Sequence, residues 1–186
     1  TAYQPDLSQP DNWRGRGYSG WCCTDFAFNP KVKGDSTFVG MDAGKFWRST
    51  DDLQTWWYHG QQPDPWGGGS EVCYAGPYIY VTAGQFDDNL GILRHNDVDG
   101  TTENLVGAKY GLPEIHTGGQ PTGIYANPDK PEQVWVVIGG KLFTSENAGD
   151  TWLQVEMGDS LQWLVGDPSR PARFYASGKL GIYLTE

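Results

Sequence analysis

Short apolar runs, each stopped by a glycine, a proline or a carboxylate, recur along this chain at a nearly constant spacing. Phe46-Trp47-Arg48-Ser49-Thr50-Asp51 aligns with Ile92-Leu93-Arg94-His95-Asn96-Asp97 and with Leu142-Phe143-Thr144-Ser145-Glu146-Asn147. A fourth copy is Ile182-Tyr183-Leu184-Thr185-Glu186. The copies start at 46, 92, 142 and 182, at intervals of 46, 50 and 40 residues. Upstream, Phe26-Ala27-Phe28-Asn29-Pro30, Gly123-Ile124-Tyr125-Ala126-Asn127-Pro128 and Trp163-Leu164-Val165-Gly166-Asp167-Pro168 each end in a turn. Proline stops the ladder there because it has no backbone donor. Second strands are predicted at Ser36–Gly40, Tyr78–Thr82, Gln133–Ile138 and Arg173–Ala176, rich in the residues that pleated, half-buried surfaces prefer. No segment sustains a 3.6-residue apolar period, so almost no helix is expected.

A period of roughly 40 to 50 residues suits one blade of a β-propeller. The predicted fold is all-β, with about four blades of four antiparallel strands, the last blade incomplete. Residues 1–20 form a leader or closing segment, and the blades fall near 21–66, 67–116, 117–158 and 159–186. Two eight-residue turns reinforce the register. Ser49 to Trp56 and Ser145 to Trp152 are degenerate copies of Ser-x-Asp-x-Gly-x-Thr-Trp, 96 residues apart. The first has Leu53 for the glycine, the second has Asn147 for the aspartate, and the unit around Asp97 keeps only the aspartate. A short Asp or Asn side chain accepts backbone N–H groups of its own turn, hydroxyls help close it, and the Trp packs between sheets. Ser49, Asp51, Trp56, Ser145, Asn147 and Trp152 are therefore expected to be structural. The fourth run stops where a box and an outer strand should follow, and Thr1 to Gly20 shows no good strand. Another chain or a missing segment is expected to complete the ring, because an open blade edge invites pairing.

On these turns the sequence resembles the Asp-box (bacterial neuraminidase repeat) β-propellers over residues 20 to 186. That superfamily includes xyloglucanase-type glycoside hydrolases, sialidases, sortilin-type receptors and a photosystem assembly factor. In xyloglucanase-type enzymes an early Thr-Asp-x-Gly-Gly segment carries a catalytic carboxylate, and Met41-Asp42-Ala43-Gly44-Lys45 is similar to it. The resemblance implies Asp42 as the candidate catalytic residue; the plainer alternative is a turn cap. Sialidase chemistry needs an arginine cluster, and the six arginines are scattered.

Composition narrows the partners. A net charge of −10 argues against nucleic acid, which calls for a basic stripe. Nine tryptophans within 14% aromatic content suit a secreted protein that touches neutral ligands such as a polysaccharide or glycan. No run approaches the roughly 18 apolar residues of a membrane span. Cys22 or Cys23 and Cys73 occupy equivalent inner-strand positions, so one bridge or three reduced thiols are both open readings.

In a propeller, box turns lie at one end of the barrel, and the loops between second and third strands lie at the other. Ligand sites are expected on that second end. It offers Tyr18, Trp21, Asp64, Trp66, Asp87, Asp88, Glu114 and His116 as candidate substrate-binding residues. Trp21 and Trp66 present flat apolar platforms for sugar rings. No cofactor is required, although Asp87-Asp88-Asn89 could hold calcium through hard oxygen ligands. A solvated loop tip is the plainer reading, since the spacing lacks the alternation of an EF-hand.

Overall fold

The computed structural model describes residues 4–5, 12–14, 23–40, 46–59, 69–83, 91–114 and 119–185. Among the described residues, seventeen strands form four antiparallel sheets in chain order, arranged as a four-bladed β-propeller. Among the described residues there is no α-helix, only the 3-10 turn Ala108–Tyr110, and no helix is long and apolar enough to cross a membrane.

Blade 1 contains β3 (Cys23–Phe28), β4 (Ser36–Gly40), β5 (Phe46–Ser49) and β6 (Trp56–His59). Blade 2 contains β7 (Gly69–Ala75), β8 (Tyr78–Ala83), β9 (Ile92–Asn96) and β10 (Thr102–Asn104). Blade 3 contains β11 (Pro121–Ala126), β12 (Val134–Ile138), β13 (Lys141–Ser145) and β14 (Leu153–Val155). Blade 4 has three strands, β15 (Leu161–Gly166), β16 (Phe174–Gly178) and β17 (Ile182–Leu184).

The leader departs from expectation. β1 (Gln4–Pro5) and β2 (Asn12–Arg14) are strands, and β2 pairs with β6. The open outer edge of blade 1 is a template that accepts even these short segments. They extend blade 1 instead of supplying the missing outer strand of blade 4.

Strand alternation explains the stacking. Successive side chains point to opposite faces of a strand. Val72 and Tyr74 of β7 join Val39 and Phe46 of blade 1, whereas Cys73 and Ala75 face Ile124 and Ala126 of blade 3. Tyr125 and Trp135 of blade 3 then pack with Leu164 and Phe174 of blade 4. Each sheet thus has a front toward the preceding blade and a back toward the next. Innermost strands follow one another, β3 against β7, β7 against β11 and β11 against β15, with no comparable packing between β15 and β3 among the described residues. Each innermost strand carries a β-bulge at the same step, before Asp25, Glu71, Gly123 and Trp163.

Candidate functional site

The box end is built from self-closing turns. In the first, Asp51 Oδ1 accepts Ser49 Oγ at 2.9 Å, Gln54 N at 3.1 Å and Thr55 N at 2.9 Å, while Oδ2 accepts Thr55 Oγ1 at 2.6 Å. Partial desolvation pushes this carboxyl up, but the Thr55, Ser49 and Gln54 donors outweigh it and hold Asp51 below the ordinary aspartate range. In the second turn Asn147 Oδ1 accepts Ser145 Oγ and Thr151 N, each at 2.9 Å. Its Nδ2 donates to Thr151 Oγ1 at 2.9 Å. The Asp-to-Asn change therefore reverses one bond and keeps the turn closed. Trp152 is buried between blades 2 and 3 and donates its indole N–H to Gly149 O at 2.9 Å. In blade 2 the turn is closed by Asp99, which accepts Thr101 N at 2.9 Å and Thr101 Oγ1 at 2.6 Å. Asp97, which aligns with the box aspartate, instead accepts Arg48 Nη1 from blade 1.

Two repeated ties join the blades. At the bulge, Asp25 Oδ2 accepts Val72 N of blade 2 at 2.8 Å, and Glu71 Oε2 accepts Ile124 N of blade 3 at 2.9 Å. Gly123 occupies this position in blade 3, where a Cβ would stand 2.9 Å from Leu164 N. Blades 3 and 4 touch directly where a carboxylate bridges the earlier pairs. Burial raises Glu71 to about 7; the Ile124 N–H opposes the shift and the Asp25 charge adds to it. Burial also raises Asp25, against the amides of Val72 and Phe26. Cys73, behind them, is pushed far up by burial and then by both carboxylates. Cys23 and Cys73 both carry free thiols.

The second tie is an arginine on the third strands of blades 1 and 2. Arg48 grips Asp35 of its own blade through Nε at 2.7 Å and Nη2 at 2.8 Å, and reaches Asp97 in the following turn. Arg94 donates to Ala148 O at 2.6 Å and Asp150 Oδ1 at 2.7 Å, both in the following box. Thr144 stands at this position in blade 3 and Leu184 in blade 4. These residues were missed in the sequence, although the signal was there. Asp25 and Glu71 are 46 residues apart, as are Arg48 and Arg94, and that is the interval between the first two strand copies.

Of the residues expected at the opposite end, Tyr18, Trp21, Asp42, Asp64, Trp66, Asp87, Asp88 and His116 lie outside the described residues. Glu114 is exposed, with its carboxylate over Gly107. Tyr110, in the linker after blade 2, sits beside the second box, its backbone O accepting Trp152 N at 2.8 Å. Leu105 and Leu112, buried between blades 2 and 3, pull that linker inward. The described part of this end holds a groove of about 440 Å³ between blades 3 and 4, lined by Lys141, Gln154, Glu156, Asp159 and Lys179. Among the described residues no cluster of His, Cys, Asp and Glu could hold a metal ion.

No protein-family model and no curated protein matches the chain. Solved structures do. A GH74 enzyme of Niastella koreensis superposes with a TM-score of 0.61 at 17% identity, covering 86% of this chain and 28% of that one. YCF48 bound to D1 peptide gives 0.65 at 15% identity, covering 98% of this chain and 57% of that one. The computationally designed Ika4 protein gives 0.60 at 11% identity, covering 91% and 93%. The chain spans about a quarter of the GH74 enzyme and somewhat over half of YCF48. At these identities the likeness establishes the propeller fold.

Proposed function

We propose that this chain is an extracellular, carbohydrate-directed propeller, a portion of a xyloglucanase-like glycoside hydrolase acting on β-glucan-type polysaccharide. The GH74 likeness is the observation that supports this reading. Asp42 supplies one catalytic carboxylate, Trp21 and Trp66 stack on sugar rings, and Tyr18, Asp64, Asp87, Asp88, Glu114 and His116 are the further substrate-binding residues of this reading. Calcium is the ion that Asp87 and Asp88 suit. Inverting hydrolysis needs a second carboxyl about 6.5–9.5 Å from the first. Asp25 and Glu71 are poor candidates, because each already accepts a backbone N–H from the next blade. The partner therefore comes from another loop or another polypeptide.

A second reading is a non-catalytic module for glycan binding, adhesion or extracellular assembly. The likeness to YCF48, solved with a bound peptide, favours it. Reducing-end release from β-glucan, compared between the wild type and Asp42→Ala, separates the two. Release abolished by the substitution supports hydrolysis, and release absent from both proteins leaves binding alone.

A further inference from the structure

The outer edge of a sheet is a row of unpaired N–H and C=O groups, which native chains commonly blunt with charge or a cover. Blade 1 is covered, with β2 antiparallel on β6, Asn12 opposite Trp57 and Trp13 opposite Trp56. Blade 2 carries charge at its edge, where Glu103 of β10 pairs with Arg94. Blade 3 differs from both. Its outer strand β14 reads Leu153-Gln154-Val155, without a charge, and Leu153 is 73% exposed.

A cover for this edge starts and then stops. Trp152 turns its N–H outward to Tyr110 O at 2.8 Å. Gly111, left-handed at φ 79°, then carries the linker inward to the buried Leu112. Strand alternation makes Gln154 the next residue whose backbone N–H and C=O point outward. Among the described residues neither group is bonded. A groove lies on each face beside it. The front groove, about 430 Å³, is bounded by Gly111, Leu112, Pro113 and Phe143, and the back groove by Leu142, Val155 and Met157. Gln154 shares the front with Phe143, whereas Leu153 and Val155 share the back with Leu142. Lys141 and Glu156 stand one step further along this register and balance each other, so the edge favours a segment without charge.

We propose that β14 takes an extended, uncharged segment of another polypeptide as a fifth strand of blade 3, continuing the cover that Tyr110 begins. Backbone hydrogen bonds at Gln154 supply the affinity, and side chains of the added strand enter the two grooves alternately. The residue opposite Gln154 faces the front, and its neighbours meet Leu153 and Val155 on the back, a pattern that alternating β-branched residues fit. The proposal rests on the edge of an interior blade and stands apart from the carbohydrate reading.

Fluorescence anisotropy tests it with a short dye-labelled peptide of alternating valine and threonine, kept soluble by a polyethylene glycol tail. Gln154→Pro removes only the outward N–H and leaves the ladder to β13 intact, while Gln154→Ala removes only the side chain. Far-UV circular dichroism of both variants should match the wild type. The wild type and Gln154→Ala should bind the peptide saturably. Gln154→Pro should bind it about tenfold more weakly, as the loss of one net hydrogen bond implies. The same peptide N-methylated at alternate residues should be bound more weakly by the wild type. A wild type that does not bind, equal binding by Gln154→Pro, or equal losses in both variants would overturn the proposal. So would wild-type self-association in sedimentation that Gln154→Pro abolishes, which would make a second copy of this chain the occupant.

Discussion

Glu71→Gln isolates the tie between blades 2 and 3. The wild-type carboxyl is only 9% exposed and titrates at about 7 rather than its ordinary 4.5. Between those two pH values the folded protein holds a proton that the unfolded chain has released, so stability falls as pH rises. Below about 4.5 both states are protonated, above about 7 both are ionised, and the contribution is flat on either side. At about 1.4 kcal/mol per pH unit, the decline from end to end is on the order of 3 kcal/mol. Glutamine is neutral throughout and its side-chain oxygen can still accept the Ile124 N–H. The variant should therefore match the wild type near pH 4 and exceed it near pH 8, by about 6–12 °C in unfolding midpoint for a domain of this size. Asp25, which faces Glu71 from β3 and is itself raised by burial, stays in both proteins and largely cancels from the comparison. Thermal unfolding of the pair at pH 4, 6 and 8 is the assay. Parallel pH profiles, or a variant less stable at pH 8, would show that Glu71 is ionised and favourably placed, against this reasoning.

Two further substitutions probe the turns and the arginine tie. Leu53 holds the left-handed conformation at φ 70°, where the second box has Gly149 at φ 91°. The side chain costs about 1–2 kcal/mol there and glycine's extra chain entropy returns about 0.5–1, so Leu53→Gly should stabilise the fold by about 0.5–1 kcal/mol in denaturant titration. Arg48→Ala leaves the Asp35 carboxylate, 1% exposed, with the Asn29 and Tyr74 donors but without the Arg48 charge, and should cost about 3–5 kcal/mol in the same titration. Arg94→Ala should cost clearly less, because its partners Glu103 and Asp150 are half-exposed or more and regain water.

The period of the apolar runs was enough to predict an all-β propeller of about four blades, because a four-stranded sheet must return its chain to the axis at a fixed interval. The second strands followed from the same alternation, and Ser36–Gly40 is reproduced residue for residue. The leader strands were not legible, because Gln4–Pro5 and Asn12–Arg14 are too short to show alternation and form by pairing, β2 onto the edge of β6 and β1 onto β2. The inward course of Tyr110 escaped notice for a similar reason: Leu105 and Leu112 are single apolar anchors within a polar linker. Asp97 misled because alignment assigns a residue to a turn without showing which way its carboxylate leans, and here the pull of Arg48 in the neighbouring blade decides it.

The distribution of charge along the arc carries a structural argument of its own. A buried ion pair gives little net stability over well-packed apolar side chains, since desolvation consumes most of the Coulomb attraction. The arginine and carboxylate ties of blades 1 and 2 therefore do little that aromatic packing could not. Blades 3 and 4 show this, held by Tyr125, Trp135 and Phe174 with ring centroids 5.0–5.9 Å apart. What a charged tie adds is discrimination. Shifting blade 2 against blade 1 would leave Asp97 and Asp25 without the donors they now hold across the junction, whereas sliding one apolar face over another loses only contact area. The Arg48 and Arg94 ties fix which turn lies against which strand at the first two junctions. At the third that task falls to shape, with Gly123 admitting Leu164 where any side chain would collide.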